Sequence, residues 1–301
     1  MTQVLVEDGP DKGAVWHFGQ PSQEQRALAA GNAWADLSHF EIIGITGQDR
    51  LHWLHSLTTQ HLEKLAPGIW TSALILDPQG HIEHQFNLMD DGERTWLTLD
   101  AGRGKALLAH LEKMKFMLRV EVRDLSGEYA LLRAPGLSDS LGGPFAIVPR
   151  NEIALWHEKF NQSAVRVGTW ALEAERVAVG RPRIGFETDY KSIPNELGLL
   201  NKSVHMNKGC YCGQETVAKI ANLGKPPRRL AMLHLDGSVI SIPATGADVE
   251  KDGVKVGFIG TVARHYELGT IALAVLKRSI PLDATLMIEG IPATQEATNL
   301  T

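Results

Sequence analysis

Two cysteines, Cys210 and Cys212, lie in the run Lys208-Gly209-Cys210-Tyr211-Cys212-Gly213-Gln214-Glu215-Thr216, and the 301-residue chain has no others. A thiol can serve as nucleophile, redox partner or metal ligand, and the thiolate is the reactive form. Two thiols cannot complete a four-ligand zinc or iron–sulfur site alone. A bridge between residues two apart would close a tiny, strained loop, and the count excludes a disulfide framework. The residues from Gln214 onward read as a helix, with Gln214 and Glu215 in its first turn and Gly224 and Pro226 at its end. Cys210 then lies just ahead of the positive end of a helix dipole and two residues from Lys208. Both features favour its thiolate. Gly209 and Gly213 remove bulk on either side, so a ligand or partner can approach the sulfur.

Other polar groups carry weaker signals. His81 and His84 flank Glu83 on a strand, but residues three apart face opposite sides and do not chelate one ion readily. His52 and His55 share a helix face, where no acid or thiol completes a ligand set, so they read as ordinary surface residues. The basic residues Lys202, Lys208, Lys219, Lys225, Arg228 and Arg229 surround the cysteine run. They suit an anionic ligand tail, a nucleic-acid backbone or simply water. Glycine is abundant, at 29 of 301 residues, yet no phosphate-cradling glycine pattern follows a strand.

The elements that must position these groups follow from periodicity. Ser22 is placed to cap a helix that continues through Trp34. Phe40–Thr46 reads as a strand and Gln48–Thr59 as an amphipathic helix. Strands follow at 70–76, 81–89 and 95–99, with turns at Asp77–Gly80 and Asp90–Glu93. A helix over 102–118, a strand over 119–124, two strands between 126 and 148, and helices over 152–160 and 169–179 complete this part. From Arg228 onward only short strands and turns remain, which predicts a separate all-β domain after the stiff Lys225-Pro226-Pro227 joint. The chain is 44% apolar and 22% charged with net charge −5. Such values exclude general disorder and a protein built mainly to coat nucleic acid. No apolar stretch approaches a membrane span, and the first residues lack the pattern of a secretion signal. A cytoplasmic location is the simplest expectation, with no membrane partner.

The run KGCYCGQE resembles the K-G-C-[FY]-x-G-Q-E pattern of the YgfZ family, folate-binding proteins of the glycine-cleavage T-protein (aminomethyltransferase) superfamily. Further segments match in order. Trp34-Ala35-Asp36-Leu37-Ser38-His39 resembles the superfamily's D-L-S-H segment, and Ile43–Asp49 resembles its V-x-G-x-D strand and helix start. Ile193-Pro194-Asn195-Glu196-Leu197-Gly198 resembles its P-x-E-x-G segment. The resemblance spans roughly residues 25 to 300.

This resemblance implies an α+β fold of three domains forming a ring around a folate channel. Residues 1–50 plus 126–225 would form a discontinuous folate-binding domain. Residues 51–125 would form a ferredoxin-like domain, and 226–301 a C-terminal β-barrel. The implied function is a tetrahydrofolate-binding accessory protein, or one binding another reduced one-carbon folate. It would support iron–sulfur cluster assembly or repair and tRNA modification. Its partners would be iron–sulfur enzymes or assembly factors, with tRNA as a further contact. Cys210 would be the functional thiol, with Lys208 and Glu83 beside it as reactive-site groups. Glu196 would accept the two-donor edge of the pterin, as a carboxylate can, and Asp36, Gly209, Gly213, Gln214 and Glu215 would complete the folate site. Glu83 stands where T-proteins carry a catalytic aspartate, one methylene longer, and His84 replaces the next acid. Ala178, in the turn Arg176–Gly180, stands where many relatives carry glutamate. Two rival functions remain: a one-carbon transferase using Glu83, and an adaptor that binds no small molecule.

Overall fold

The computed structural model describes residues 3–237 and 241–296. The chain forms two compact units. The first comprises Met1–Ile75, His84–Leu172 and Asn207–Tyr211, and the second Leu76–Glu83, Glu173–Met206 and Cys212–Thr301.

The first unit is built on two sheets. One has five strands in the order Trp70–Leu76, Ile82–Asp90, Arg94–Leu99, Glu41–Thr46 and Glu121–Asp124. Alternation along Glu41–Thr46 sets its two faces, as the period of two requires. Ile43 and Ile45 enter a core with Trp53 and Leu54 of the helix Arg50–Leu57 and with Leu107 and Leu111 of the helix Gly104–Met114. Ile42 turns the other way, into a cluster with Leu37, Trp96, Leu125 and Leu131. Trp53 ties the two helices together, because its indole N–H donates to the Met114 carbonyl at 3.1 Å. The expected domain scheme places Glu41–Thr46 before its boundary at residue 50, whereas its backbone partners lie at 94–99 and 121–124.

The second sheet has four strands in the order Phe145–Pro149, Tyr129–Arg133, Ala33–Asp36 and Val165–Val167, the last two parallel. Ala33–Asp36 corrects the expected helix through Trp34. The helix covers only Pro21–Ala29. Gly31 then takes φ +71°, where a side chain would be strained, and a Cβ there would press on Gly136 and Leu137. Alternation resumes at once. Trp34 packs with Ala130, Leu132 and Phe160, while Ala33 and Ala35 face Leu28 and Val167. Ser22 does not cap the helix. Pro21 opens it, and Glu24 accepts from the Phe18 and Gln20 amides at 2.8 and 3.4 Å.

The second unit carries a closed six-stranded barrel: Arg228–Leu235, Gly269–Lys277, Val254–His265, Asp248–Lys251, Leu286–Ile288 and Ile291–Gln295. Its interior is aliphatic, led by Leu233, Val249, Ile259, Leu276, Leu286 and Ile288. The expected C-terminal β-barrel is therefore present. The same unit holds the helix Gln214–Leu223 and the long irregular segment 179–206. Among the described residues, no helix is long and apolar enough to cross a membrane.

Candidate functional site

The cysteine motif begins with a lysine used as a structural clamp. A helix leaves its last carbonyls without partners, and Lys208 supplies donors to the end of Arg50–Leu57. Its ammonium donates to the carbonyls of His55, of Thr58 at 2.5 Å and of Gln60 at 3.1 Å. Lys208 is only 8% exposed, and burial pulls its pKa down to about 8, which leaves it charged at neutral pH. Lys208 directs its charge into these carbonyls and positions the motif. Tyr211, also buried, lies beneath the ammonium with its ring 5.2 Å away, and burial pushes its hydroxyl up to about 12.

Cys210 and Cys212 are both free and exposed, and a Cβ on Gly209 would meet open space. Helix Gln214–Leu223 starts where the sequence predicts, after Gly213 in the left-handed region at φ +77°. Gly213 is required by backbone packing: a Cβ there would stand 2.6 Å from the Asp77 carbonyl and 2.8 Å from the Gly80 Cα. The helix start is thus pressed against the turn Asp77–Gly80, which precedes Glu83. Burial, then the carboxylates of Glu83 and Asp77, push the Cys212 thiol up. Glu83, Glu215 and Cys212 are exposed, and Gln214 is partly buried. Alkylation at neutral pH is expected to label Cys210 before Cys212, because only the thiolate reacts. Peptide mass spectrometry after a timed pulse of iodoacetamide checks this, and faster labelling of Cys212 would contradict it.

Glu196 is 2% exposed, and both its oxygens accept from Arg228, at 3.0 Å from Nε and 2.7 Å from Nη2. The same guanidinium grips Asp189 at 2.6 and 3.1 Å. Burial works against the Asp189 charge, but bonds from Arg228 and Ser192 prevail and hold its pKa at about 2. Two carboxylates thus share one guanidinium. Asp189 is the more exposed acid, with a third of its side chain open. Beside them, the Asn195 amide donates to the Val217 carbonyl, while its Oδ1 is buried with no hydrogen-bond partner among the described residues. Sequence reasoning found Glu196 but missed Asp189, and it placed Arg228 in a surface patch. That patch is not continuous: Arg228 and Lys208 are consumed as described, and Arg229 donates to Gln295 and the Ile280 carbonyl.

Asp36 is committed to structure as well. One oxygen accepts from the Ser38 amide and hydroxyl, and the other lies 3.0 Å from His157 and 3.2 Å from Arg166. These contacts engage both oxygens of the carboxylate that the resemblance assigns to cofactor. From the turn that carries Ala178, the polar contact is made by Arg176, which is buried. Arg176 bonds both oxygens of Glu173, at 2.8 and 3.0 Å, as well as Glu187 at 3.0 Å, Thr261 and the Arg181 carbonyl.

A model of the GCVT N-terminal domain matches residues 14–137. The tRNA-modifying protein YgfZ of Edwardsiella ictaluri is 26% identical over 286 residues, covering 82% of this chain and 85% of that protein. The mitochondrial iron–sulfur cluster assembly factor IBA57 homolog of Mycosarcoma maydis is 23% identical over 267 residues, covering 77% and 65%. The crystal structure of glycine cleavage system aminomethyltransferase T from Bartonella henselae superposes with a TM-score of 0.81 at 17% identity, covering 100% of this chain and 94% of that one. Residues 14–137 thus match the GCVT N-terminal domain, and most of the chain is similar to proteins of the YgfZ and IBA57 kind. The likeness to the solved aminomethyltransferase establishes the T-protein fold, with its mixed α/β sheets and C-terminal barrel.

Proposed function

We propose that this chain is a tetrahydrofolate-binding accessory protein that supports iron–sulfur cluster assembly or repair and tRNA modification, with Cys210 as its working thiol. The observation that carries the reading is the KGCYCGQE segment: Lys208 anchors it on three carbonyls while Cys210 stays exposed behind an unobstructed Gly209. An anchored backbone with an open thiol suits a group that meets a partner or a small molecule. Two relatives, a tRNA-modifying protein and an iron–sulfur cluster assembly factor, support the same reading.

The Asp189–Glu196–Arg228 cluster fits a reduced pterin by its donor chemistry. A pterin offers an amino group and a ring N–H, and the cluster holds carboxylates to accept them. Asp189 offers the solvent-reachable oxygens, Glu196 the buried ones, and Arg228 keeps both oriented. The bound folate would supply a one-carbon carrier. Aminomethyl transfer is the less favoured activity, because Glu83 is one methylene longer than the expected aspartate. A shift of about 1 Å at a reacting centre can cost on the order of 100-fold in rate.

The thiol's role is tested in a strain deleted for this protein, by the recovery of iron–sulfur enzyme activity. Cys210→Ala is expected to abolish recovery while keeping the thermal melt of the wild type. Cys212→Ser is expected to retain most of it. Full recovery by both variants would reduce the motif to a structural one, and loss by both would make the pair the working unit.

A further inference from the structure

The structure completes the histidine pair that the sequence left without partners. Helix Arg50–Leu57 presents His52 and His55 one turn apart, and the following loop returns His61 and Glu63 towards them. One donor atom each from His55, His61 and Glu63 lies within 4.8 Å of the others. Glu63 is held on the helix side by His52, Nδ1 to Oε1 at 2.9 Å, and the His55 and His61 rings meet edge to face at 4.8 Å. Lys208 fixes the backbone carrying them, through the carbonyls of His55, Thr58 and Gln60.

We propose that His55, His61 and Glu63 form a binding site for a divalent first-row transition ion, zinc or ferrous iron. Two imidazoles and one carboxylate are the donor set of open zinc sites and of non-haem ferrous sites. Bond lengths of about 2.0–2.2 Å place tetrahedral donors roughly 3.3–3.5 Å apart, so the cluster has to close by little more than 1 Å. Glu63 is exposed, so protein packing does not oppose that movement. His52 then stands behind the carboxylate as its outer partner, the arrangement that orients metal ligands. Magnesium is disfavoured, since it prefers oxygen donors. The Lys208 charge on the same segment opposes a dication and weakens its binding.

Binding leaves a mark on the backbone. In the metal-free geometry the Leu62 amide donates to His55 Nδ1 at 3.2 Å, so the neutral ring carries its proton on Nε2. Coordination through Nε2 moves that proton to Nδ1, and coordination through Nδ1 takes the same lone pair. Either route breaks the Leu62 bond.

The test is calorimetric titration of zinc chloride, with an anaerobic ferrous arm and a magnesium control, into the full-length protein and its Cys210→Ser/Cys212→Ser variant. The double-serine variant removes the thiols as competing ligands. One equivalent of zinc or iron is expected in both proteins. His61→Ala and Glu63→Gln should each weaken binding by at least about 10–100-fold, and metal should speed hydrogen exchange at Leu62. Glu63 is exposed, so Glu63→Gln remains informative if His61→Ala does not fold. No binding, binding lost with the thiols, or binding indifferent to Glu63→Gln would overturn the proposal.

Discussion

Arg176→Met is expected to lower the free energy of unfolding by about 3–5 kcal/mol, the usual result of removing one partner from a buried ion network. Arg176 is surrounded by protein, and its guanidinium serves Glu173, Glu187, Thr261 and the Arg181 carbonyl. Glu187 is 0% exposed and accepts on one oxygen only, from Arg176 and from the Arg183 amide. Methionine fills most of the volume but removes the guanidinium bonded to Glu187, and a buried charge that loses its partner is costly. Glu187→Gln in the same background should recover part of the loss, because it removes the stranded charge. Urea unfolding measures both variants. A loss below about 1 kcal/mol for Arg176→Met, typical of exposed pairs, would contradict the network's importance.

Arg228→Ala is expected to cost about 2–4 kcal/mol at pH 7, most of it through Glu196, which is too buried to be compensated by water. Asp189 retains a third of its side-chain exposure, so solvent screening limits its own share to about 1 kcal/mol. The pH dependence separates the two contributions. Asp189 is held at about 2, below the ordinary aspartate value of about 3.9. Its stabilisation is therefore complete above the ordinary value and is lost as pH falls through about 2. In Arg228→Ala that acid-side loss should flatten. Denaturant midpoints followed from pH 5 to pH 2 give the result, and parallel curves for the two proteins would show that Arg228 does not hold Asp189.

Much of the architecture was legible because it depends on local periodicity. Alternation in FEIIGIT, the apolar stripe through Leu107 and Leu111, and the turn-punctuated strands after Arg228 each have one good solution. Ala33–Asp36 was misread because alanines and a tryptophan after a helix suit either period. Only its pairing with residues 132–133 and 165–167 decides the matter. The motif's glycines and cysteines were visible as types, but the destination of Lys208 was not, since its acceptors are backbone atoms about 150 positions away. Asp189 went unseen, and Arg228 read as surface, for the same reason. A basic residue among basic residues reads as surface until the fold brings two acids to it. His61 and Glu63 escaped notice because a loop, with no periodicity, returns them to the helix bearing His52 and His55.

This chain is expected to bind a reduced folate through the carboxylates gathered by Arg228. Isothermal titration of tetrahydrofolate, under reducing and anaerobic conditions, tests it most directly on the wild type and on Glu196→Gln, each first shown to be folded at the titration temperature. The expected wild-type affinity is roughly micromolar, about −8 kcal/mol. Loss of one charged acceptor should weaken it by about 1.5–3 kcal/mol, on the order of 10–100-fold. Absence of binding by the wild type at millimolar folate, or the same affinity in Glu196→Gln, would contradict the claim.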